Sequence, residues 1–190
     1  GRDSSSINTR SNSLKLSNAI AVSTSKEDSG ILEDVPKALD SAIWKVHQPT
    51  LQTYNALLEG YARQKNVQEA NKIFDRVQNA SSMSPDIATY TSAIKANASR
   101  LEKVNELVQQ CLLAYKEQGS QPGDANEEQS DFETQKHIIL DRPFFHAWLH
   151  SCAEAQDIKS AKKVMKEMKS FNLKPNATTY RLFIDVFLAS

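Results

Sequence analysis

Two histidines, His146 and His150, have a spacing that suits metal binding. Four residues apart on a predicted helix, they would lie on one face, as in a two-histidine half-site. A complete site needs further ligands. The stretch "HAWLH" and its surroundings supply neither the glutamate of a zinc-protease motif nor nearby cysteines. We therefore predict no bound metal.

The sequence contains no other recognisable catalytic pattern. It has no Gly-rich phosphate loop and no GxSxG motif. Cys111 and Cys152 lie on separate predicted helices and form no CxxC pair, which favours buried thiols in a reducing compartment. We predict no cofactor and no enzyme active site in these residues, although a longer protein can carry a catalytic domain elsewhere.

The overall charge excludes a uniformly basic nucleic-acid-binding surface. The 190 residues include 23 basic and 23 acidic side chains, so any such surface needs locally segregated charge. No stretch approaches the roughly 18 apolar residues of a membrane span. We therefore predict a soluble protein without a membrane partner.

Helical periodicity identifies the elements that must position any binding residues. The stretch "LQTYNALLEGYARQKNVQEANKIFDRV", residues 51–77, predicts two amphipathic helices joined by Gln64, Lys65 and Asn66. Asn66 and Glu69 have capping-box spacing, with the Asn66 side chain accepting a backbone N–H and Glu69 reaching back. Each helix has only a narrow apolar face, so the pair needs neighbours.

The same layout recurs along the chain. Tyr90 follows Tyr54 by 36 residues, and Tyr180 follows Phe145 by 35, with each aromatic opening a predicted helix. Asp157 and Ala161 in the third copy match Asn66 and Ala70 in the first, at an offset of 91. Repeats of this length predict a solenoid of stacked helix pairs, because one pair cannot cover its own apolar face. The aromatic residues are expected to pack between helices rather than to stack on bases.

Composition divides the chain into a tail and a repeat domain. Residues 1–30 are Ser-rich and lack aromatics, which predicts a disordered linker. Residues 31–190 form the predicted repeat domain, whose first helix ends at Pro49. An acidic stretch at about 119–138 interrupts the repeats and predicts a solvated insertion. The start at Gly1 and the apolar pattern still running at Ser190 indicate a piece of a longer protein.

These repeats resemble the pentatricopeptide repeat family. The resemblance lies in helix pairs of about 35 residues, a Thr-Tyr or Phe opening the first helix, an alanine in the second, and the links "MSPD" and "LKPN". The tetratricopeptide alternative expects a Trp…Leu-Gly…Tyr signature, which fits less well. The resemblance implies an all-α fold, a right-handed α-solenoid of antiparallel helix pairs.

The resemblance also implies binding of single-stranded RNA, one base per repeat. In the family, two residues contact each base: the one after the aromatic of the first helix and the one after the inter-repeat proline. Carried onto this sequence, these positions hold Asn55 with Asp86, Thr91, His146 with Asn176, and Arg181. The first pair resembles a uridine-preferring combination. None of Gln52, Ala88, Pro143 and Thr178 is the apolar clamp that the family commonly places beside a base.

Four of the six candidate residues also have a simpler structural role. Asp86 and Asn176 precede predicted helices and can act as N-caps, a role compatible with base contact. Asn55 and Arg181 can be solvated surface residues. Five lysines of the third repeat suggest a phosphate-binding stripe, but they belong to a second helix and are expected on a solvated outer face: Lys159, Lys162, Lys163, Lys166 and Lys169.

The resulting hypothesis is an RNA-binding solenoid that acts in organellar RNA processing, stability, translation or transcription. Its expected partners are single-stranded RNA and other proteins of organellar gene expression. The family resemblance alone implies a mitochondrial location, with the plastid as the alternative. Two other functions remain open: a helical protein-interaction scaffold, and an accessory domain of a larger organellar enzyme such as a mitochondrial RNA polymerase.

Overall fold

The computed structural model describes residues 49–119 and 138–188. This part of the chain is helical, with seven α-helices and no β-strand among the described residues. The predicted Ser-rich tail, the helix expected between residue 31 and Pro49, and almost all of the acidic insertion lie outside the described residues. The chain divides into two compact units, residues 1–85 and 86–190, which we describe separately.

Residues 49–85, the described part of the first unit, contain one helix pair, α1 (Leu51–Arg63) and α2 (Val67–Gln78). The two helices pack through a shared apolar face, whose fully buried members include Leu57 and Leu58 of α1 and Val77 of α2. The tight connection has Lys65 in the left-handed region at φ 56°. Two backbone hydrogen bonds close it: the Lys65 N–H donates to Ala62, and the Asn66 N–H donates to Tyr61.

The predicted capping box at Asn66 forms only in part. The Asn66 side chain accepts from the Glu69 N–H at 3.3 Å, as expected. The Asn66 N–H, however, already donates to the Tyr61 carbonyl, which leaves Glu69 no backbone donor to reach back to. The Glu69 carboxylate instead pairs with the Lys72 ammonium at 2.7 Å.

The second unit contains the other five described helices. They are α3 (Ile87–Ala96), α4 (Leu101–Gly119), α5 (Arg142–Glu154), α6 (Ile158–Ser170) and α7 (Ala177–Leu188). Helix α5 is central and packs against the other four. The first helices of successive repeats, α3, α5 and α7, therefore lie side by side, while α4 and α6 pair with their own first helices.

The core of the second unit follows the predicted helical stripes. Along α4, Val104, Leu107, Val108 and Cys111 are fully or almost fully buried, at the predicted steps of three or four residues. On α5, Phe145 and Trp148 are buried and stacked, with ring centroids 6.5 Å apart. Among the predicted packing aromatics, Tyr180 differs. It is 53% exposed on α7, because α7 packs mainly on α5 and turns this side chain outward.

The connection between α5 and α6 repeats the geometry found in the first unit. Gln156 adopts φ 53°, and the Asp157 N–H donates to the Cys152 carbonyl at 2.9 Å. Asp157 then caps α6 by accepting from the Lys159 and Ser160 N–H groups. Gln156 and Lys65 are 91 residues apart, so this geometry confirms the repeat offset read from the sequence.

Candidate nucleic-acid interface

The N-termini of the first helices place two of the predicted RNA-binding residues. Asp86 precedes α3, and its carboxylate accepts from both the backbone N–H and the hydroxyl of Thr89 at 2.9 Å. Asn176 precedes α7 and accepts from the corresponding groups of Thr179 at the same distances. Both residues therefore act as N-caps, which is the structural role that the sequence left open for them.

The third repeat brings His146 and Asn176 together. The Nε2 atom of His146, on α5, lies 2.9 Å from the Thr179 hydroxyl oxygen, 33 residues later on α7. That same hydroxyl is bonded to the Asn176 cap. The two residues that the family resemblance paired as one base-contacting site thus belong to a single hydrogen-bonded cluster.

A cavity adjoins this cluster. It has a volume of about 400 Å³ and is open to solvent along the layer formed by α3, α5 and α7. His146 and His150 line it from α5, and Lys95 lines it from α3. Its remaining walls are mainly apolar and are formed by Pro143, Ala147 and Leu182. The cavity therefore combines apolar surface with a cation and two imidazoles.

The surroundings of His146 favour its neutral form by lowering its pKa. Partial burial lowers its pKa first, and the nearby Arg142 guanidinium lowers it further. A hydrogen bond with the Asn176 side chain and the Asp141 carboxylate act in the opposite direction. Because the pKa falls below its ordinary value of about 6.5, the imidazole at neutral pH carries one ring proton.

The other predicted contact residues are placed differently. Thr91 is buried on α3, and its hydroxyl donates to the Ile87 carbonyl at 2.7 Å, so the structure does not present it to a ligand. An in-helix hydrogen bond satisfies this hydroxyl where α3 packs against α4 and α5. Arg181 is exposed on α7. Asn55 is half-buried on α1 in the first unit.

The lysine stripe lies away from the cavity. All five lysines of α6 are exposed, and none lines the cavity described above. Their placement agrees with the predicted solvated face. His146 and His150 share the cavity, but within residues 49–119 and 138–188 no group of three or more histidine, cysteine or acidic side chains is arranged to hold a metal ion.

Sequence reasoning missed two members of this site. Thr179 bridges His146 and Asn176, and Lys95 lines the cavity from α3. The spacing of Asp86 to Thr89 and of Asn176 to Thr179 is a capping signal that could have identified Thr179 as a polar group at the helix start. Nothing in the sequence around Lys95 indicates its place in the cavity.

None of the described helices has the length and apolar character needed to span a lipid bilayer.

Two family models match the chain. The PPR repeat family matches residues 49–99, and the pentatricopeptide repeat domain matches residues 134–188. These matches cover the first repeat, the first helix of the second, the third repeat and part of the fourth.

Curated relatives come from Arabidopsis thaliana. A mitochondrial pentatricopeptide repeat-containing protein is 25% identical over 126 residues, which cover 65% of this chain and 25% of that protein. A chloroplastic one is 32% identical over 73 residues, covering 37% of this chain and 15% of that protein. The chain thus spans a quarter or less of these relatives. The mitochondrial and chloroplastic locations of these relatives agree with the expected mitochondrial or plastid location.

A solved structure confirms the fold class. The crystal structure of the pentatricopeptide repeat protein PPR10 from maize superposes with a TM-score of 0.64 and 18% sequence identity, covering 90% of this chain and 21% of that chain. The likeness shows an all-α solenoid fold. The repeat spacing, the two family matches and this fold together show that the chain belongs to the pentatricopeptide repeat family.

Proposed function

We propose that this chain binds single-stranded RNA along the layer of first helices α3, α5 and α7, as part of a protein of organellar RNA processing, stability, translation or transcription. The observation that carries the proposal is the cluster of His146, Thr179 and Asn176 beside the open cavity. His146 and Asn176 occupy the two positions that contact a base in the family.

The composition of the cavity supports a nucleotide as its occupant. Apolar walls suit the face of a nucleobase, while an imidazole and an amide can bond to its edge. Lys95 supplies a cation for a backbone phosphate. Zero net charge predicts that affinity depends on such local groups rather than on a general positive field.

The proposal includes the other candidate residues in different roles. Asn55 in the first unit stays a proposed base-contacting residue, as does Asp86 in the second, and exposed Arg181 is assigned to the following repeat. We assign no direct base contact to Thr91, because its hydroxyl is buried and bonded within α3.

Fluorescence anisotropy with labelled single-stranded oligo-U, oligo-A, oligo-C and oligo-G tests the proposal. Binding of the oligomers by the 190-residue chain should weaken as the salt concentration rises. At a given salt concentration, His146→Ala should bind more weakly than the wild-type chain. A preference for U that Asn55→Ala abolishes would place Asn55 at a base. Circular dichroism should show that each variant keeps its helical content.

Failure of a folded, helical sample to bind any oligomer at low salt would overturn the proposal. The scaffold and the accessory-domain functions would then become the better explanations. Binding that His146→Ala and Asn55→Ala both leave unchanged would also contradict it, because the RNA would then lie elsewhere.

A further inference from the structure

The Thr179 hydroxyl is hydrogen-bonded to three atoms. Its oxygen lies 2.9 Å from the Asn176 side-chain oxygen, 3.1 Å from the Asn176 backbone nitrogen and 2.9 Å from the Nε2 atom of His146. A hydroxyl has one proton to donate and two lone pairs that accept. Three partners therefore use its full capacity, which determines the direction of each hydrogen bond.

The Asn176 side chain determines the first direction. The backbone N–H of Thr179 also points at the Asn176 side-chain atom, at 2.9 Å, and a backbone N–H can only donate. That atom is therefore the amide oxygen, which can only accept. Consequently the single Thr179 hydroxyl proton is directed to Asn176.

The direction of the His146 bond follows. With its proton committed to Asn176, the Thr179 oxygen accepts from its other two partners. One is the Asn176 backbone N–H, so the other, His146 Nε2, must carry a proton and donate it. In a neutral imidazole only one nitrogen is protonated, which leaves His146 Nδ1 with an unprotonated lone pair.

We propose that His146 Nδ1 is a fixed hydrogen-bond acceptor that selects, in the third repeat, a nucleobase edge bearing an N–H donor, and that protonation of His146 removes this selection. The inference rests on the proposed RNA binding and deepens it. His146 borders the open cavity that would hold the base. The side-chain oxygen of Asn176 accepts hydrogen bonds in the cap. The nitrogen of the same amide supplies N–H donors within the cluster.

The charges around His146 favour its neutral form. Arg142, on the same helix as His146, opposes its protonation, and Asp141, which caps that helix, favours it. Burial opposes protonation more strongly than Asp141 favours it. Lys95 of α3 and His150 of α5 line the same cavity, and α7 contributes the uncharged Thr179 and Asn176. The acceptor is therefore present at neutral pH and is lost only in acid.

Nuclear magnetic resonance of ¹⁵N-histidine-labelled chain tests the tautomer without RNA. Two-bond ¹H–¹⁵N spectra at neutral pH should show His146 protonated at Nε2. Thr179→Val removes the hydroxyl at similar volume and should yield a mixture of tautomers, whereas the control Thr179→Ser should keep the wild-type pattern. An Nδ1-protonated or mixed wild-type state would overturn the inference.

Addition of RNA tests the contact with the base. The best-binding homo-oligomer should shift the Nδ1 resonance, and its analogue methylated on the base N–H donors should bind roughly three- to tenfold more weakly, the loss expected for one hydrogen bond. That loss should shrink in Thr179→Val and at a pH where His146 is protonated. Equal affinity for both oligomers, or an unchanged Nδ1 resonance in the complex, would overturn the inference.

The two experiments separate this inference from the proposed function. Nε2 protonation together with no binding of any oligomer would refute RNA binding, and the base contact with it. Binding that does not discriminate against the methylated analogue would leave RNA binding standing and refute the role of Nδ1.

Discussion

The imidazole of His146 and the hydroxyl of Thr179 are joined at 2.9 Å across helices α5 and α7. This bond connects the third repeat to the cap of the fourth, because Thr179 also bonds to Asn176. One side-chain cluster thus helps to start α7 and, in our proposal, presents polar groups to a nucleobase.

Asn176 allows its two roles to be separated. Asn176→Ala removes the cap and should lower the free energy of unfolding by about 1 kcal/mol. Asn176→Asp keeps the accepting oxygens, so stability should change by only a few tenths of a kcal/mol, while the amide donors are lost. Urea unfolding monitored by circular dichroism measures the first effect, and oligomer binding the second. RNA affinity that followed stability alone in both variants would contradict a base contact at this residue.

The lowered pKa of His146 predicts a pH dependence of stability. Because this pKa is below its ordinary value of about 6.5, the unfolded chain takes up the proton more readily than the folded one. The stability contribution is therefore complete above about pH 6.5 and declines as pH falls toward the folded pKa. His146→Gln cannot titrate in this window, so the stability of wild type relative to this variant should decline between pH 7.5 and pH 5. A difference that does not change with pH would contradict the pKa shift.

Two lysines should respond differently to neutralisation. Lys95→Gln removes the cation that lines the cavity and should weaken RNA binding at low salt. The slope of log binding constant against log salt concentration should fall by about the contribution of one phosphate contact. Lys162→Gln, on the exposed face of α6, is the matched control and should leave both quantities unchanged. Equal losses in the two variants would indicate that only overall charge matters.

Both cysteines should be unreactive in the folded protein. Cys111 and Cys152 are fully buried, and burial raises the pKa of each thiol to about 12. Very little thiolate therefore forms at neutral pH, and alkylating reagents also lack access. Mass spectrometry after iodoacetamide treatment should show slow labelling of the native chain and rapid labelling in denaturant. Fast labelling of either thiol in native conditions would show that its helix opens readily.

The turn between α1 and α2 contains a strained position that can be relieved. Lys65 adopts φ 56°, which costs a residue with a Cβ about 1 kcal/mol. Lys65→Gly should therefore raise the free energy of unfolding by up to about 1 kcal/mol, less the extra entropy of the unfolded chain. Gln64→Gly is the control: Gln64 has φ −77°, and glycine there should lower stability by about 0.5 kcal/mol. Thermal unfolding compares the two variants, and destabilisation by both would argue against strain at Lys65.

The helix pairs and their repetition can be predicted from the amino-acid sequence alone. Apolar spacing along α4 and the offset of 91 residues between matching turns are local or periodic features, so they can be read without a structure. The caps at Asp86 and Asn176 are equally local, since each acts on a residue three positions later. The resemblance to the family depended on the Thr-Tyr and inter-repeat proline motifs as well as on the repeat length, and the family matches confirmed it.

Which of these residues come into contact depends on how the helices pack against one another. The bond between His146 and Thr179 spans 33 residues, and Lys95 reaches the cavity because α3 packs beside α5. Packing also buried Thr91, which the family resemblance had placed among the base-contacting residues. The period predicts that successive helix pairs stack, but side-chain direction and hydrogen-bond polarity depend on the individual side chains of the neighbouring helices, which a period does not specify.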